Sequence, residues 1–298
     1  MLFPLLVILG SLVSLAPIEN QQTTSARVAI VNLGRSGFAV LATKRLFQSL
    51  KKTELLVIDP DQSRAAARGF GYEGSLNLTR KEAMDLGAVL GCEFYVIGDV
   101  ETLRRSPSSA GPYFESYATL FIVSARTGSL VLWLRPSFQA QTIKESETQL
   151  LDEISGLKVR TKTAEAIRQA NSDEQNEREL ALGQNEPVVL EAPDEEQAAA
   201  QGLRLPRPFK RLQPGYTEEA AQAEVEATVD IVAEIDGNGD VHHARVERWA
   251  GFGLDEATLQ TVKQLRFFPA TRHGKPLPIR VLLRYNFRKP PLTQTRVQ

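Results

Sequence analysis

Apolar and polar residues alternate from Glu224 to Ile235, with Val225, Ala227, Val229, Ile231, Ala233 and Ile235 on one side of the pattern. Period two marks a half-buried strand, because successive side chains point to opposite faces. Asp236-Gly237-Asn238-Gly239-Asp240 follows, residues that tolerate positive φ, so the chain is expected to turn and pair with Val241 to Arg248 as a hairpin. Past Gly251-Phe252-Gly253 the spacing becomes helical. Leu254, Thr258, Leu259, Val262 and Leu265 share one face, and Asp255 and Glu256 sit where the helix dipole favours acids. Pro269 closes this segment by disfavouring the helical conformation in the residue before it. Alternation then returns, with Ile279, Val281, Leu283, Tyr285 and Phe287 set against Arg280, Leu282, Arg284, Asn286 and Arg288. Two paired strands, a covering helix and a third strand make a small α+β unit.

The first half of the chain has a different rhythm. Arg27 to Leu33 is a short apolar run bounded by Gly34, as expected of a buried strand, and Phe38 to Leu50 has helical spacing. Leu55 to Asp59 predicts a second strand, stopped by Pro60. Thr79 and Glu82 form a capping box opening a helix from Arg80 to Leu90, and Glu93 to Val100 reads as a third strand. Tyr113 to Ser124 and Leu130 to Phe138 flank Arg126-Thr127-Gly128-Ser129, an antiparallel hairpin pattern. Glu145 to Ala170 is helical again, with a break at Gly156. The sum is a mixed α/β sheet domain over 27–170.

Two stretches differ in kind. Asn171 to Gly202 is acidic, with a single Arg178, so 171–205 is expected to be a flexible linker, disordered or partly helical. Some thirty residues span roughly 100 Å extended and about 30 Å as a coil, enough to tether two domains and let them move. Leu2 to Leu15 is apolar and Ser14-x-Ala16 is a small-residue cleavage pattern, so 1–26 reads as a secretory signal. The alternative is a short inner-membrane anchor, although about twenty apolar residues are needed to cross a bilayer. Residues 291–298 read as a tail.

The C-terminal unit, 206–290, resembles the C-terminal domain of TonB. The resemblance is carried by Pro214-x-Tyr216-x-x-x-Ala220, Ile235-Asp236-x-x-Gly239-x-Val241, Gly251-x-x-Leu254-Asp255-x-Ala257-x-Leu259 and Arg266-Phe267-x-Pro269-Ala270-x-x-x-Gly274-x-Pro276. Thr217 stands where that family usually has proline, and Ala227 where it usually has glycine. Residues 27–170 resemble, in pattern more than motif, the periplasmic domains of the amino-terminal TolB module, curli-secretion lipoproteins and penicillin-binding-protein activators. That likeness rests on Val28-Ala29-Ile30-Val31, Val57-Ile58-Asp59 and Ala88-x-x-Gly91-x-x-Phe94-Tyr95-Val96-Ile97-Gly98.

The TonB resemblance implies docking of extended peptide segments of outer-membrane receptors, or of other envelope proteins, as a strand added to a sheet edge. The candidate contacting residues are Arg280, Leu282, Arg284 and Asn286 on the last strand, with Pro214 and Tyr216 in the entry loop of the unit; the alternative is that Arg280, Arg284 and Arg288 form a solvated face protecting the edge. The resemblance also raises coupling to an inner-membrane motor complex and a homodimer through the last strand. The usual long proline-rich spacer is missing. An exported, periplasmic protein with energy-transducing contacts is one expectation, and a non-energised scaffold acting on a cell-wall enzyme or secretion pore is another. A ligand-binding protein or enzyme using the N-terminal sheet is a third.

Composition removes several classes. The net charge is −1, with 35 Lys and Arg against 36 Asp and Glu, which gives no support to nucleic-acid binding. Cys92 is the one cysteine and lies in an apolar run, so a buried inert thiol is expected. His242 and His243 are adjacent on a strand and point to opposite faces, so they cannot chelate one ion together. No metal site, cofactor site or catalytic constellation is expected, and the chain is not read as an enzyme. Gly69-x-Gly71-x-x-Gly74 matches the dinucleotide fingerprint as a string but does not follow a strand or open a helix. Gly34-Arg35-Ser36-Gly37 is placed as a tight turn that could hold an anion, and Asp59 and Asp99 are read as strand-end caps or turn formers.

Overall fold

The computed structural model describes residues 25–31, 33–107, 111–181 and 189–289. The apolar segment Leu2 to Leu15 and the tail 291–298 lie outside them. The N-terminal part comprises β1 (Arg27–Ile30), α1 (Gly37–Leu50), β2 (Leu56–Val57), α2 (Pro60–Phe70), α3 (Arg80–Leu90), β3 (Phe94–Arg105), β4 (Tyr113–Ser124), β5 (Leu130–Leu134), β6 (Ser137–Ala140), α4 (Ile143–Ser155) and α5 (Leu157–Ala181). Its sheet runs β2-β1-β3-β4-β5, with β6 also on β4. β1 is parallel to β2 and β3, while β4 is antiparallel to β3, β5 and β6.

Both faces of this sheet are covered, which is why its strands read as continuous apolar runs. Val28, Ile30, Phe94, Val96, Leu120 and Ile122 pack with α1, α4 and α5. Ala29, Val31, Tyr95, Ile97, Phe121 and Val123 point the other way, toward α2 and α3. The capping box of α3 forms as expected, with the Thr79 hydroxyl accepting from the Glu82 amide and the Glu82 carboxylate from the Thr79 amide. Gly156 separates α4 from α5. Helix α2 was not anticipated, although its start is legible: Asp59 accepts the Asp61 N–H and Pro60 opens the helix, where a missing donor costs nothing. β3 runs past Val100 to Arg105 because β4 pairs with it along its whole length.

The C-terminal part contains β7 (Leu190–Glu191), α6 (Glu195–Ala200), β8 (Leu203–Arg204), β9 (Arg207–Pro208), α7 (Glu218–Gln222), β10 (Ala227–Ile235), β11 (Val241–Arg248), α8 (Leu254–Lys263), β12 (Phe267–Phe268), β13 (Thr271–Arg272), β14 (Lys275–Pro276) and β15 (Ile279–Phe287). The main sheet is β11-β10-β15-β7. β10 is antiparallel to both neighbours and β7 is parallel to β15. Val229, Ile231, Ala233 and Ile235 bury one face together with Leu254 and Val262 of α8. The fold class is α+β, with the hairpin, helix and last strand in the expected places.

The course of 171–205 differs from the flexible acidic linker expected there. Helix α5 continues to Ala181, and from Val189 onward the chain lies on the C-terminal unit. β7 joins β15, β8 joins β13, and Ala198 and Leu203 are buried in the core. The acidic average hid these apolar anchors, and it hid Asp194, whose carboxylate accepts the Gln197 amide and caps α6.

The two parts also pack on each other. Phe121, on the α2 side of the first sheet, meets Trp249 edge-on at 5.4 Å and Phe252 at 5.9 Å, and Trp133 lies 5.2 Å from Phe252. Trp249 is 1% exposed, and its indole N–H donates to the Gly128 carbonyl at 3.1 Å. Gly251 passes over the Phe121 ring at φ 74°, where a Cβ would stand 2.5 Å from a ring carbon. Edge-to-face pairs add about 0.5–1.5 kcal/mol each beyond area burial, so this seam is a stabilising interface.

Candidate protein-docking edge

The two edges of the C-terminal sheet have opposite surroundings. At β11, Thr79 bridges Arg248, the Trp249 amide donates to Leu78 O, and the Arg248 guanidinium donates to Asn77 O at 2.7 Å. Asn77 then substitutes for a strand beyond the end of β11. Its amide group donates to Thr228 O at 2.9 Å and Trp249 O at 2.6 Å, and its side-chain oxygen accepts the Thr228 N–H at 3.1 Å.

At β15, β7 covers Ile279 and Arg280, and the Ala192 amide donates to Arg280 O at 2.8 Å. Backbone groups of successive strand residues point to opposite sides. Thr228 aims its N–H and C=O at the β11 side, so the odd-numbered residues of β10, from Ala227 to Ile235, bond their β15 partners. The N–H and C=O groups of Leu282, Arg284 and Asn286 therefore face outward, and among the described residues no strand pairs with them. The edge is thus closed at Ile279–Arg280 and, among the described residues, open from Leu282 onward.

The side chains named from sequence share the outer face of this sheet, where most are already engaged. Arg280 donates to Glu234 at 2.6 and 3.0 Å and to Glu191 at 2.6 Å, bonds that raise its pKa further. Arg284 donates to Asp230 at 2.7 and 3.0 Å, and Arg248 reaches the same carboxylate at 3.3 Å. With two arginines over it, the Asp230 side chain is 2% exposed. Asn286 accepts from the Thr228 hydroxyl at 2.9 Å. Leu282 is 55% exposed. Of the four strand residues, it presents bare apolar surface beside the open backbone.

Tyr216 serves the fold. Its hydroxyl lies 2.7 Å from Val225 O and 3.2 Å from Ala220 O, its ring stands 6.3 Å from that of Phe287, and burial leads the rise in its pKa. Pro214 is half-buried in the loop two residues earlier. Thr217, in place of the family's proline, caps α7 by accepting the Ala220 N–H, and it donates to Phe252 O at 2.6 Å. Asp255 holds the turn before α8, its two oxygens accepting the Ala250 and Gly251 amides at 2.8 Å. Burial nevertheless pushes its carboxyl up to about 7.

The cysteine and histidines singled out from sequence gather no site among the described residues. Cys92 is half-buried, and burial raises its thiol to about 12, so it stays protonated. His242 and His243 are both exposed. Among the described residues, no three His, Cys, Asp or Glu side chains gather to hold a metal, and no helix is long and apolar enough to cross a membrane. Sequence reasoning missed Asn77, Trp249 and Phe252. A tryptophan before Ala250-Gly251 was visible, but nothing local indicates what it packs against.

The chain is a two-part α+β protein whose second sheet keeps part of one edge unpaired among the described residues. The chain carries a TonB C-terminal domain: residues 213–288 match the family model for the Gram-negative bacterial TonB protein C-terminal. Among solved structures, the TonB C-terminal domain of Pseudomonas aeruginosa is 18% identical, over 34% of this chain and 95% of that one, with a TM-score of 0.26. The hypothetical protein CT253 from Chlamydia trachomatis is 14% identical, over 44% and 94%, at 0.32. The LpoB C-terminal domain from Salmonella enterica is 16% identical, over 40% and 87%, at 0.28. No curated protein matches the sequence. The family-model match supports a protein-interaction role in the bacterial envelope.

Proposed function

We propose that the protein works in the periplasm as a docking platform, taking an extended segment of an envelope protein as a strand along β15 from Leu282 to Asn286. Backbone donors and acceptors supply affinity, and the exposed Leu282 with its flanking ion pairs supplies selectivity. The observation that carries this reading is β7, which already sits on the first residues of the same strand as an added partner. A photo-crosslinking residue at position 282 in the host tests it. Adducts confined to an extended segment of one envelope protein are expected. Equal crosslinking from position 56, an exposed leucine on the N-terminal sheet, would sink it.

The seam favours a fixed, non-energised scaffold over a force-transmitting arm, because Trp249 and Phe252 bind the docking domain to the N-terminal sheet. Energy transduction to an outer-membrane receptor is the finer alternative. Fractionation with mass determination of the mature amino terminus separates them: a retained Leu2–Leu15 segment in the inner membrane supports transduction, and a released form supports the scaffold.

A further inference from the structure

Three features that the docking function leaves unused meet in one place. The Gly34–Gly37 turn, the glycine string ending at Gly74, and Asp99 all line a crevice of about 790 Å³ on the N-terminal domain, within the roughly 300–1,000 Å³ of small-ligand sites. Its position follows from topology. β1 lies between β2 and β3; the chain reaches β2 through α1 on one face and β3 through α2 and α3 on the other. Where crossovers diverge in this way, the carboxyl ends of the strands open a cleft, the usual ligand position in open α/β sheets.

The chemistry of the walls is specific. Arg64 and Arg68 come from successive turns of α2, and Arg35 from the loop after β1. Arg64 is paired with Asp61, but Arg35 and Arg68 form no ion pair among the described residues. Asp99 follows Tyr95 and Ile97 on the α2 side of β3, half-buried and likewise without a cation in ion-pair range among the described residues. Gly34 makes room for it: a Cβ there would lie 2.9 Å from the Asp99 carboxylate. Burial, then the neighbouring Glu101, raises the Asp99 carboxyl. The Asp99 carboxyl also hydrogen-bonds the Glu101 side chain and the Val100 backbone. Among the described residues, the cavity therefore holds two guanidiniums outside any ion pair and one acid with hydrogen bonds but no cation beside it.

We propose that this crevice binds a small zwitterionic ligand, an amino acid or a dipeptide, with its carboxylate on Arg35 and Arg68 and its ammonium on Asp99. A simple anion would bring no cation to Asp99, and a simple cation would face two arginines. Charge-assisted bonds of this kind carry both ends.

Calorimetric titration of the full chain tests the assignment, using alanyl-alanine, its N-acetyl and amide derivatives, and inorganic phosphate. The free dipeptide is expected to bind, with each blocked derivative at least about tenfold weaker, as loss of one charged hydrogen bond requires. Asp99→Asn should weaken the dipeptide and leave the N-acetyl form unchanged, while Arg68→Ala should weaken both. Arg68 is exposed, so an unaltered melting temperature confirms that this variant folds. No dipeptide binding at millimolar concentration, phosphate binding as tightly as the dipeptide, or Asp99→Asn without effect would each overturn the proposal.

Discussion

The β11 and β15 edges of the C-terminal sheet pose the same physical problem, a row of backbone groups wanting partners, and the protein solves it differently at each. At β11 the N-terminal domain supplies strand-like contacts through Leu78 and Thr79, a mimic in Asn77, and an aromatic seam at Trp249. At β15 a two-residue strand covers Ile279 and Arg280, and the rest is left open. An edge closed by buried aromatics is part of the fold. An edge closed by two backbone contacts and an exposed ion pair can be exchanged, because exposed pairs are worth at most about 1 kcal/mol.

The largest test of that contrast is Trp249→Ala. Removing a buried indole should cost about 3–5 kcal/mol and split a single denaturant transition into two. A loss below about 1 kcal/mol would mean that the seam does not bind the domains together. Next comes Gly251→Ala, where a Cβ meets the Phe121 ring at positive φ. It should cost about 1–3 kcal/mol, against less than about 0.5 for Gly215→Ala, which meets nothing within 4 Å.

The turn that carries the seam should respond to pH. Folded Asp255 holds its proton up to about 7 while the unfolded chain releases it near the ordinary 3.8. Between those values the native state binds more protons, so this group makes stability fall as pH rises from about 4 to about 7 and level off above. Asp255→Asn should flatten that part of the melting-temperature profile. An unchanged slope would assign it elsewhere.

Two smaller effects probe the open edge. Leu282→Pro removes an N–H that faces solvent and not β10, so stability should change by less than about 1 kcal/mol while crosslinking from a probe at Asn286 is lost. Unchanged crosslinking would remove β15 from the docking function. Glu191→Gln weakens one exposed contact to Arg280. It should cost about 0.5 kcal/mol globally yet speed hydrogen exchange at the Ala192 amide, since the opening is local.

Much of the fold was legible in local pattern. Alternation placed β10 and β15, Asp236 to Asp240 turned the hairpin, Thr79 with Glu82 opened α3, and Gly156 broke the long helix. The last strand was legible too, but the partners of its side chains were not. Arg280, Arg284 and Asn286 read as free for a partner, whereas Glu234, Asp230 and Thr228 of the neighbouring strand already bind them. Register across strands decides such pairings, and register is not written within either strand alone.

What the sequence determined by itself is therefore whatever short-range chemistry dictates: element types, caps, turns, and the TonB-type signature from Pro214 to Pro276. What the tertiary structure decided lies between distant residues. Asn77 reaches Thr228 across 151 positions, and Trp249 reaches Gly128 across 121. Likewise Leu190 joins Ile279, turning an acidic stretch into an edge strand, and Arg35, Arg68 and Asp99 converge on one crevice. Such contacts depend on the shape of the surface that each element meets, and periodicity records which face is apolar without recording what will cover it.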